Sequence, residues 1–547
     1  MRWMMIGANG YTLRQPGRGE ADVAGERFDA VVVDGERVVA VGRAEDLRLQ
    51  YGARVDRVMD VEGATVLPGL VDSHLHVAML GERAMRLDLT GVSSADEMLS
   101  RIRVWARSLQ PDAWVLGGGW DDNRFDDGRV PSPEALDEAA GGRPLLLTRV
   151  CRHAYLANRV AFARAGITDE TPDPAGGRFG RDAEGRLNGW VYEHAGQRLL
   201  AAVPRWSEAQ WRDALEAGMR EALAAGITAV HTDDVRNLGT LDALWRAYRH
   251  LQRERGISLR VHALVDHGAL PEYRSLVREL AQDDWLRLGC VKLFADGALG
   301  GRTAWLDAPY TDAPGWRGTP IHAEEELVEH VRLIHEAGFG AAVHAIGDAA
   351  LAAVLDALEQ APPVTMRDRI VHAEIIRPDL IRRMQRLGDH LAVDIQPRFT
   401  VSDFPWVMDR VGEKRARFVC AWRTLLEAGV HVAGGSDAPI EPVAPLVGMH
   451  AAVVRRAPGE AGAGWFPEEA LTPVQAARLF THDACYADGT ERHKGVIAPG
   501  MWADFTVVDR DVLRPADPDE LLEARVLYTI VGGRLAHAAD GGPEGWS

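Results

Sequence analysis

The chain has 547 residues, too many for one compact core, so a barrel-sized domain with a smaller companion is expected. Its 46% hydrophobic and 26% charged residues are typical of an ordinary soluble globular protein. The formal net charge of −18 argues against nucleic acid or an anionic membrane as the partner.

Cysteine usage and the first residues predict a cytoplasmic protein. The cysteines are scattered and form no Cys-x-x-Cys pair, so we expect reduced thiols at Cys151, Cys290, Cys420 and Cys485. The N-terminal residues lack a basic segment followed by a long apolar one, so we expect no signal peptide. No stretch reaches the roughly 20 apolar residues that a membrane span needs.

Both ends of the chain are rich in predicted strands. These comprise a hairpin over 28–42, with Asp34-Gly35 as its two-residue turn, and two strands over 503–508 and 526–531. We therefore expect a small β-sandwich domain built from 1–66 and 490–547.

The middle of the chain alternates strands with helices and predicts a (β/α)8 TIM barrel. A first strand leads through residues 66–77, and seven further apolar runs follow at 227–231, 259–265, 290–294, 340–344, 369–372, 391–395 and 430–434. Eight such units are the count of a TIM barrel, whose active site lies at the carboxyl ends of its strands. We expect the barrel to comprise 67–84 and 206–489.

One connection in this α/β pattern is too long for a loop and a helix. The first strand ends near His76 and the second begins near Ile227. Residues 85–205 are therefore predicted to form an inserted lid subdomain, with a helix over 95–110 and a strand over 145–150. Its tryptophans are expected mainly in its own core, with one or two facing a substrate.

Six residues able to take part in one metal centre stand at matching strand ends. His74 and His76 share one face of the first strand, because alternate side chains of a strand point the same way. The others are Lys292, His344 and His372, on the fourth, fifth and sixth strands, and Asp437, just after the eighth. Each alone is more often structural, but together they predict a metal centre. Imidazole and carboxylate suit Zn²⁺, with Mn²⁺ or another first-row ion as the alternative.

Lys292 needs a chemical reason of its own. Only three lysines, Lys292, Lys414 and Lys494, stand among 62 basic residues, so the chain prefers arginine for a generic positive charge. A neutral buried lysine can react with CO₂ to form a carbamate, an anionic ligand that bridges two metals, and arginine cannot. Two ions about 3.5–4 Å apart would share a hydroxide that attacks a carbonyl. Asp437 would then carry the proton to the leaving group.

The motifs around these residues resemble those of the amidohydrolase superfamily, in the group that includes N-substituted formamide deformylases. They are Leu-Pro-Gly-Leu-Val-Asp-Ser-His-Leu-His at 67–76 and the segments 291–297, 343–348, 370–374 and 435–439. Arg152-His153-Ala154 and Asn158 resemble the motif of this group's inserted domain. The resemblance implies a metal-dependent hydrolase of C–N bonds and gives ligand roles to His74, His76, Lys292, His344, His372 and Asp437. Because six ligands are too many for one tetrahedral zinc, we expect two divalent ions, with zinc favoured, and a small N-substituted amide as the substrate.

The residues around the centre leave several roles open. Trp120, His153 and Arg302 are candidates for contact with a small-molecule substrate. Arg302 could hold a substrate carbonyl or carboxylate, or it could pair with Asp296 or Asp307. For His231, at the end of the second strand, we favour a packing role or a role in supporting the metal ligands from behind.

Two other functions fit parts of the pattern. A mononuclear deaminase on the same barrel would not need Lys292 as a ligand. A non-catalytic scaffold would have lost ligands, and none is lost. The oligomeric state is open, and a homo-oligomer is compatible with the sequence.

Overall fold

Eight parallel strands form the central sheet of the computed structural model, which describes residues 1–14, 24–122, 125–126, 128–149, 154–174 and 176–539. They are hydrogen-bonded in chain order as Leu70–Leu75, Ile227–Thr232, Arg260–Asp266, Leu286–Phe294, Ala341–Ala345, Asp368–His372, Leu391–Ile395 and Val432–Gly434. Each of the eight predicted runs supplies one of them, so the predicted eight-strand parallel barrel is confirmed.

The barrel is nearly closed at the carboxyl ends of its strands. The first and eighth strands are the two ends of the hydrogen-bonded sheet. Beyond them, the Asp437 N–H donates to the His74 carbonyl over 2.7 Å, and the His76 N–H donates to the Ala438 carbonyl over 2.8 Å. The segment after the eighth strand is thereby joined to the first strand at the two predicted histidine ligands.

Helices follow most barrel strands and bury one face each. Leu241–Arg253 begins at Thr240, whose side chain accepts the Ala243 N–H, and it buries Leu244, Tyr248 and Leu251. Two helices, Val77–Ala84 and Glu208–Ala224, extend into residues 81–217, which form a separate unit described below. The helices that lie wholly outside that range are Ala44–Tyr51, Val235–Leu238, Leu241–Arg253, Leu270–Leu276, Glu324–Glu336, Asp348–Gln360, Pro378–Leu387, Phe399–Ser402, Phe404–Val411, Glu413–Ala416, Trp422–Glu427, Pro445–Val454, Pro473–Leu479, His482–Ala487 and Glu520–Glu523. Short 3₁₀ turns occur at Gly52–Arg54, His267–Ala269, Gly388–His390 and Pro467–Glu469.

A second sheet combines strands from both ends of the chain. Its strands are Arg2–Tyr11, Arg27–Asp34, Arg37–Gly42, Arg57–Asp60, Thr65–Pro68, Phe505–Val508, Val526–Val531 and Arg534–Ala538. The hairpin turn is Gly35-Glu36 rather than the predicted Asp34-Gly35, because Asp34 pairs with Arg37. Gly35 has φ +58°, a left-handed conformation that glycine adopts without strain. The sandwich arrangement stays a prediction.

The chain divides into two compact units, Met1–Leu80 with Gly218–Ser547, and Gly81–Ala217. The smaller unit has a sheet of Leu87–Asp88, Val115–Trp120, Leu145–Arg149, Ala154–Ala157, Gly177–Arg181 and Leu187–Glu193, with helices Ala95–Ser108, Pro133–Ala139, Arg159–Arg164 and Ala195–Leu200. Asn158 ties this unit together, since its Oδ1 accepts the N–H groups of Leu145 and Ala161. No helix of the described residues is long and apolar enough to cross a membrane.

Candidate metal centre

His74, His76 and Asp437 form one side of the centre. The Asp437 Oδ1 lies 3.5 Å from the His74 Nε2 and 3.2 Å from the His76 Nε2. One possible ligand atom from each of the three lies within 4.8 Å of the others. The first strand and the segment after the eighth therefore present two imidazoles and a carboxylate to one point.

Lys292, His344 and His372 complete the ring from the opposite strands. The Lys292 Nζ lies 3.4 Å from the His74 Nε2, and the lysine side chain is fully buried. The His372 ring centroid is 4.5 Å from that of His344 and 5.6 Å from that of His74. The structure thus brings all six predicted ligands together at the carboxyl ends of the barrel strands.

Asp72 joins the first barrel strand to the segment that follows the eighth strand. It is fully buried, and its Oδ1 accepts the His74 N–H over 3.1 Å and the Ser436 N–H over 3.0 Å. His372 and Asp437 both have left-handed backbones, with φ +80° and +56°. Such conformations are unfavourable for non-glycine residues and cluster at functional sites.

Two hydrogen bonds orient the imidazole ligands, and the sequence did not reveal either. The His372 Nδ1 lies 2.6 Å from the Gln396 Oε1, and the His76 Nδ1 lies 3.3 Å from the Asp233 carbonyl oxygen. Bonds of this kind fix the tautomer and leave Nε2 as the ligand nitrogen. Gln396 directly follows the seventh strand, so its position at the same barrel end was the signal that could have identified it.

His344 is held differently, through its Nε2. This nitrogen lies 3.1 Å from the Gly297 carbonyl oxygen and 3.5 Å from the Asp296 Oδ1, so Nδ1 carries the lone pair when Nε2 is protonated. Asp296 accepts the backbone N–H groups of Trp305 and Gly347. Burial nevertheless raises the pKa of Asp296 to about 7.

The protonation states of these buried groups suit metal binding. Burial lowers the pKa of His372 to about 4 and holds the pKa values of His74 and His344 well below the usual value, so these imidazoles are neutral. Burial also lowers the pKa of Lys292 to about 8. At pH 7 about a tenth of this amine is then neutral, far more than at an ordinary lysine pKa.

His76 and Asp437 are coupled to each other. Burial lowers the pKa of His76, but the hydrogen bond to Asp437 and the negative charges of Asp437 and Asp233 together outweigh burial and raise it to about 9. Burial raises the pKa of Asp437, yet the hydrogen bond from His76 and the nearby charges hold it below its usual value. A divalent cation replaces the proton when such a pair binds it. Neutral imidazoles, a carboxylate and a partly neutral amine therefore fit first-row divalent ions.

Two of the predicted substrate residues make contacts that the sequence did not indicate. Trp120 is fully buried and packs against Phe125 and Trp190 in the core of the smaller unit. Arg302 forms a bidentate ion pair with Asp312, and not with Asp296 or Asp307, the partners that the sequence offered as one alternative. His153 lies outside the described residues.

His231 is a packing residue, as the sequence suggested. Its side chain is fully buried, its Nε2 lies 3.3 Å from the Asp488 Oδ2, and its ring packs against that of His262. It makes none of the contacts that join the six ligands.

Comparison with known proteins agrees with this geometry. The model of the amidohydrolase family matches residues 57–537. The chain belongs to the amidohydrolase family. The amidohydrolase YtcJ of Bacillus subtilis is 38% identical over 515 residues, which cover 94% of this chain and 96% of that protein. The N-substituted formamide deformylase of Arthrobacter pascens is 29% identical, over 98% of both chains.

A solved structure supports the same family. An uncharacterized metal-dependent hydrolase of Pyrococcus furiosus superimposes with a TM-score of 0.76 at 29% identity, over 94% of this chain and 100% of that one. As an amidohydrolase, the protein is a metal-dependent hydrolase acting on C–N bonds, as its motifs predicted.

Proposed function

We propose that this amidohydrolase hydrolyses a small N-substituted amide with two divalent ions, preferably Zn²⁺. The observation that carries the proposal is the convergence of four imidazoles, one carboxylate and one buried lysine at the barrel mouth. Six such groups exceed the four ligands of a single tetrahedral zinc. The proposed ligands are His74, His76, Lys292, His344, His372 and Asp437.

Lys292 is proposed to bind as a carbamate. Its buried, partly neutral Nζ can attack CO₂ and release one proton to solvent, and the resulting carbamate would carry one negative charge shared by two oxygens that can bind metal. When bound, divalent ions polarise a substrate carbonyl and lower the pKa of water. Arginine at this position would keep its charge and would have no nucleophilic amine.

Asp437 is proposed as the proton carrier. Its low pKa keeps the carboxylate ionised at neutral pH, so Oδ1 can accept a proton from the attacking water. The amide nitrogen is a poor leaving group unless it is protonated as it departs. Asp437 can deliver that proton, because it is the carboxylate among the six converging groups.

The roles of the chain segments belong to the same proposal. We assign the barrel to 67–84 and 206–489, the β-sandwich domain to 1–66 and 490–547, and a substrate-selecting lid to 85–205. The smaller unit's own sheet and core support a separate inserted subdomain, because Trp105, Trp120 and Trp190 pack within that core. The relative named N-substituted formamide deformylase supports an N-substituted amide as the substrate class.

The test combines metal counting with turnover of a panel of N-substituted amides, formamides included. Metal-loaded wild-type protein is expected to hold two equivalents at the mouth and to release an amine. Asp437→Asn should lose about 10²–10⁴ in kcat while it stays folded. Near-wild-type turnover of that variant with both ions bound would refute the role of Asp437.

Lys292 is tested against a matched lysine. Lys292→Arg should lose activity and at least one ion, and short carboxylic acids should partly restore Lys292→Ala. Lys414→Arg is the control, since Lys414 is exposed on the short helix Glu413–Ala416. Full activity of Lys292→Arg, with a single ion at the mouth and release of ammonia, would instead indicate the mononuclear deaminase.

A further inference from the structure

A second group of histidines lies outside the six proposed ligands. His267 directly follows the third barrel strand, His322 precedes the helix Glu324–Glu336, and His330 lies within that helix. We call these three residues the outer histidine cluster. Their ring centroids are 5.8 Å apart for His267 and His322, 5.4 Å for His267 and His330, and 4.9 Å for His322 and His330. One nitrogen of each ring lies within 4.8 Å of the others.

Local structure fixes the cluster from two sides. On one side, Asp266 accepts the Gly268 N–H and pairs with Arg236, which holds the 3₁₀ turn that begins at His267. On the other side, Glu326 and His330 lie four residues apart in the helix Glu324–Glu336 and share one of its faces, and His322 stands just before that helix. The third strand and the helix after the fourth strand therefore bring the three rings together.

The cluster has free binding capacity for a cation. The His267 Nδ1 is buried and has no hydrogen-bond partner among the residues that the structure describes. Burial lowers the pKa values of both His267 and His322, so these rings are neutral and offer lone pairs near pH 7. A carboxylate is also near, since the Glu326 Oε2 lies 3.7 Å from the His322 Nδ1.

We propose that His267, His322 and His330 bind one Zn²⁺ separate from the hydrolytic centre, with Glu326 as the fourth ligand. Imidazole nitrogens are ordinary zinc ligands, whereas Ca²⁺ and Mg²⁺ prefer sites made of oxygen atoms. The nitrogens must move closer by small side-chain rotations, which partly exposed rings permit. Such an ion ties the turn after the third strand to the helix after the fourth.

The test counts zinc in full-length protein that has been stripped with a chelator and dialysed against micromolar free Zn²⁺. Wild type is expected to retain one equivalent more than His267→Gln and one more than His330→Gln, and the double variant should lose no further equivalent. The two substitutions lie on different structural elements. If circular dichroism shows a folding defect in one variant, the zinc content of the other variant still tests the proposal.

His250→Gln is the matched control. His250 lies in the helix Leu241–Arg253 with Glu254 four residues later, and its Nδ1 is 3.1 Å from the Glu254 Oε2. It therefore has a similar acidic neighbour but belongs to neither of the metal-binding groups found among the described residues. The control should retain every equivalent.

The outcome is independent of the hydrolytic centre. The expected difference is one equivalent whether the mouth holds one ion or two, and Lys292→Arg should keep the outer ion. Equal zinc contents in wild type, His267→Gln and His330→Gln would overturn the proposal. A loss of zinc shared by His250→Gln would overturn it as well.

Discussion

The buried ion pair between Arg369 and Asp394 provides the sharpest test of which interactions stabilise the barrel. Arg369 and Asp394 are both fully buried, and Arg369 donates to the two carboxylate oxygens over 2.8 Å each. The Arg369 Nη2 also donates to the Ser73 carbonyl, next to His74, over 2.5 Å. The pair therefore joins the sixth and seventh strands to the first strand at a proposed ligand.

Arg369→Met should lower the free energy of unfolding of the barrel by about 3–5 kcal/mol. The reason is that Asp394 would remain as a buried charge without its partner. This is a large share of the roughly 5–15 kcal/mol that stabilises a typical domain. Arg369→Met/Asp394→Val should be closer to wild type than the single variant, because it removes both charges. The Arg369 Nη1 already lacks a hydrogen-bond partner among the described residues, so the native pair is itself incompletely satisfied.

The assay is guanidinium unfolding of chelator-treated protein, followed by circular dichroism. Chelation is needed because bound metals would stabilise the native state by themselves. Arg260→Met is the control, since Arg260 forms a similar buried pair with Asp504. Asp504 would keep the Gly532 N–H as a donor, so a smaller loss is expected. A loss below about 1 kcal/mol in Arg369→Met, or a double variant as unstable as the single one, would refute the reasoning.

Three further predictions concern the pH dependence of stability, the hydrogen bond that orients His372, and the stability of the smaller unit. Burial lowers the pKa of His231 to about 4, so the unfolded state takes up a proton first as pH falls. His231 alone should therefore contribute a loss of about 3 kcal/mol in the free energy of unfolding between pH 6.5 and 4, and in pH-dependent unfolding His231→Gln should reduce the slope by that amount. Gln396→Leu should weaken metal affinity about 10–100-fold, as measured by competition with a chelator, and an unchanged affinity would argue against the His372 contact. Trp120→Ala should destabilise the smaller unit by about 3–5 kcal/mol, seen as faster proteolysis within 81–217 but not in the barrel.

The barrel could be predicted because its strands are short apolar runs at regular intervals. The fourth strand shows where that reasoning fails, since it begins at Leu286 and not at the expected residue 290. Gly289 resembles a break in the sequence, but it lies inside the strand. A Cβ at Gly289 would lie 2.0 Å from the His262 Nε2, so the glycine makes room for a ring of the neighbouring strand. Only the packing of two strands reveals that reason.

The six ligands could be predicted because a parallel barrel converts strand ends into neighbours. The groups that support them follow no such rule. Asp233 uses its backbone carbonyl for His76, which no side-chain motif can reveal. Asp296 was one possible partner of Arg302, yet it is buried and its carboxylate accepts the backbone N–H groups of Trp305 and Gly347. Arg302 pairs with Asp312 because the loop brings the two together ten residues apart.

The outer histidine cluster shows how far spacing alone can lead. Glu326 and His330 lie four residues apart in one helix, with His322 four residues earlier and just before that helix, and this spacing alone indicates only a shared face for Glu326 and His330. His267 is remote from them in sequence and reaches them only because the third and fourth strands are neighbours in a parallel barrel. The same topology thus assembles both histidine groups, but only the six-ligand centre has all of its members at strand ends. A cluster that combines one strand end with one helix face becomes visible only when the fold is known.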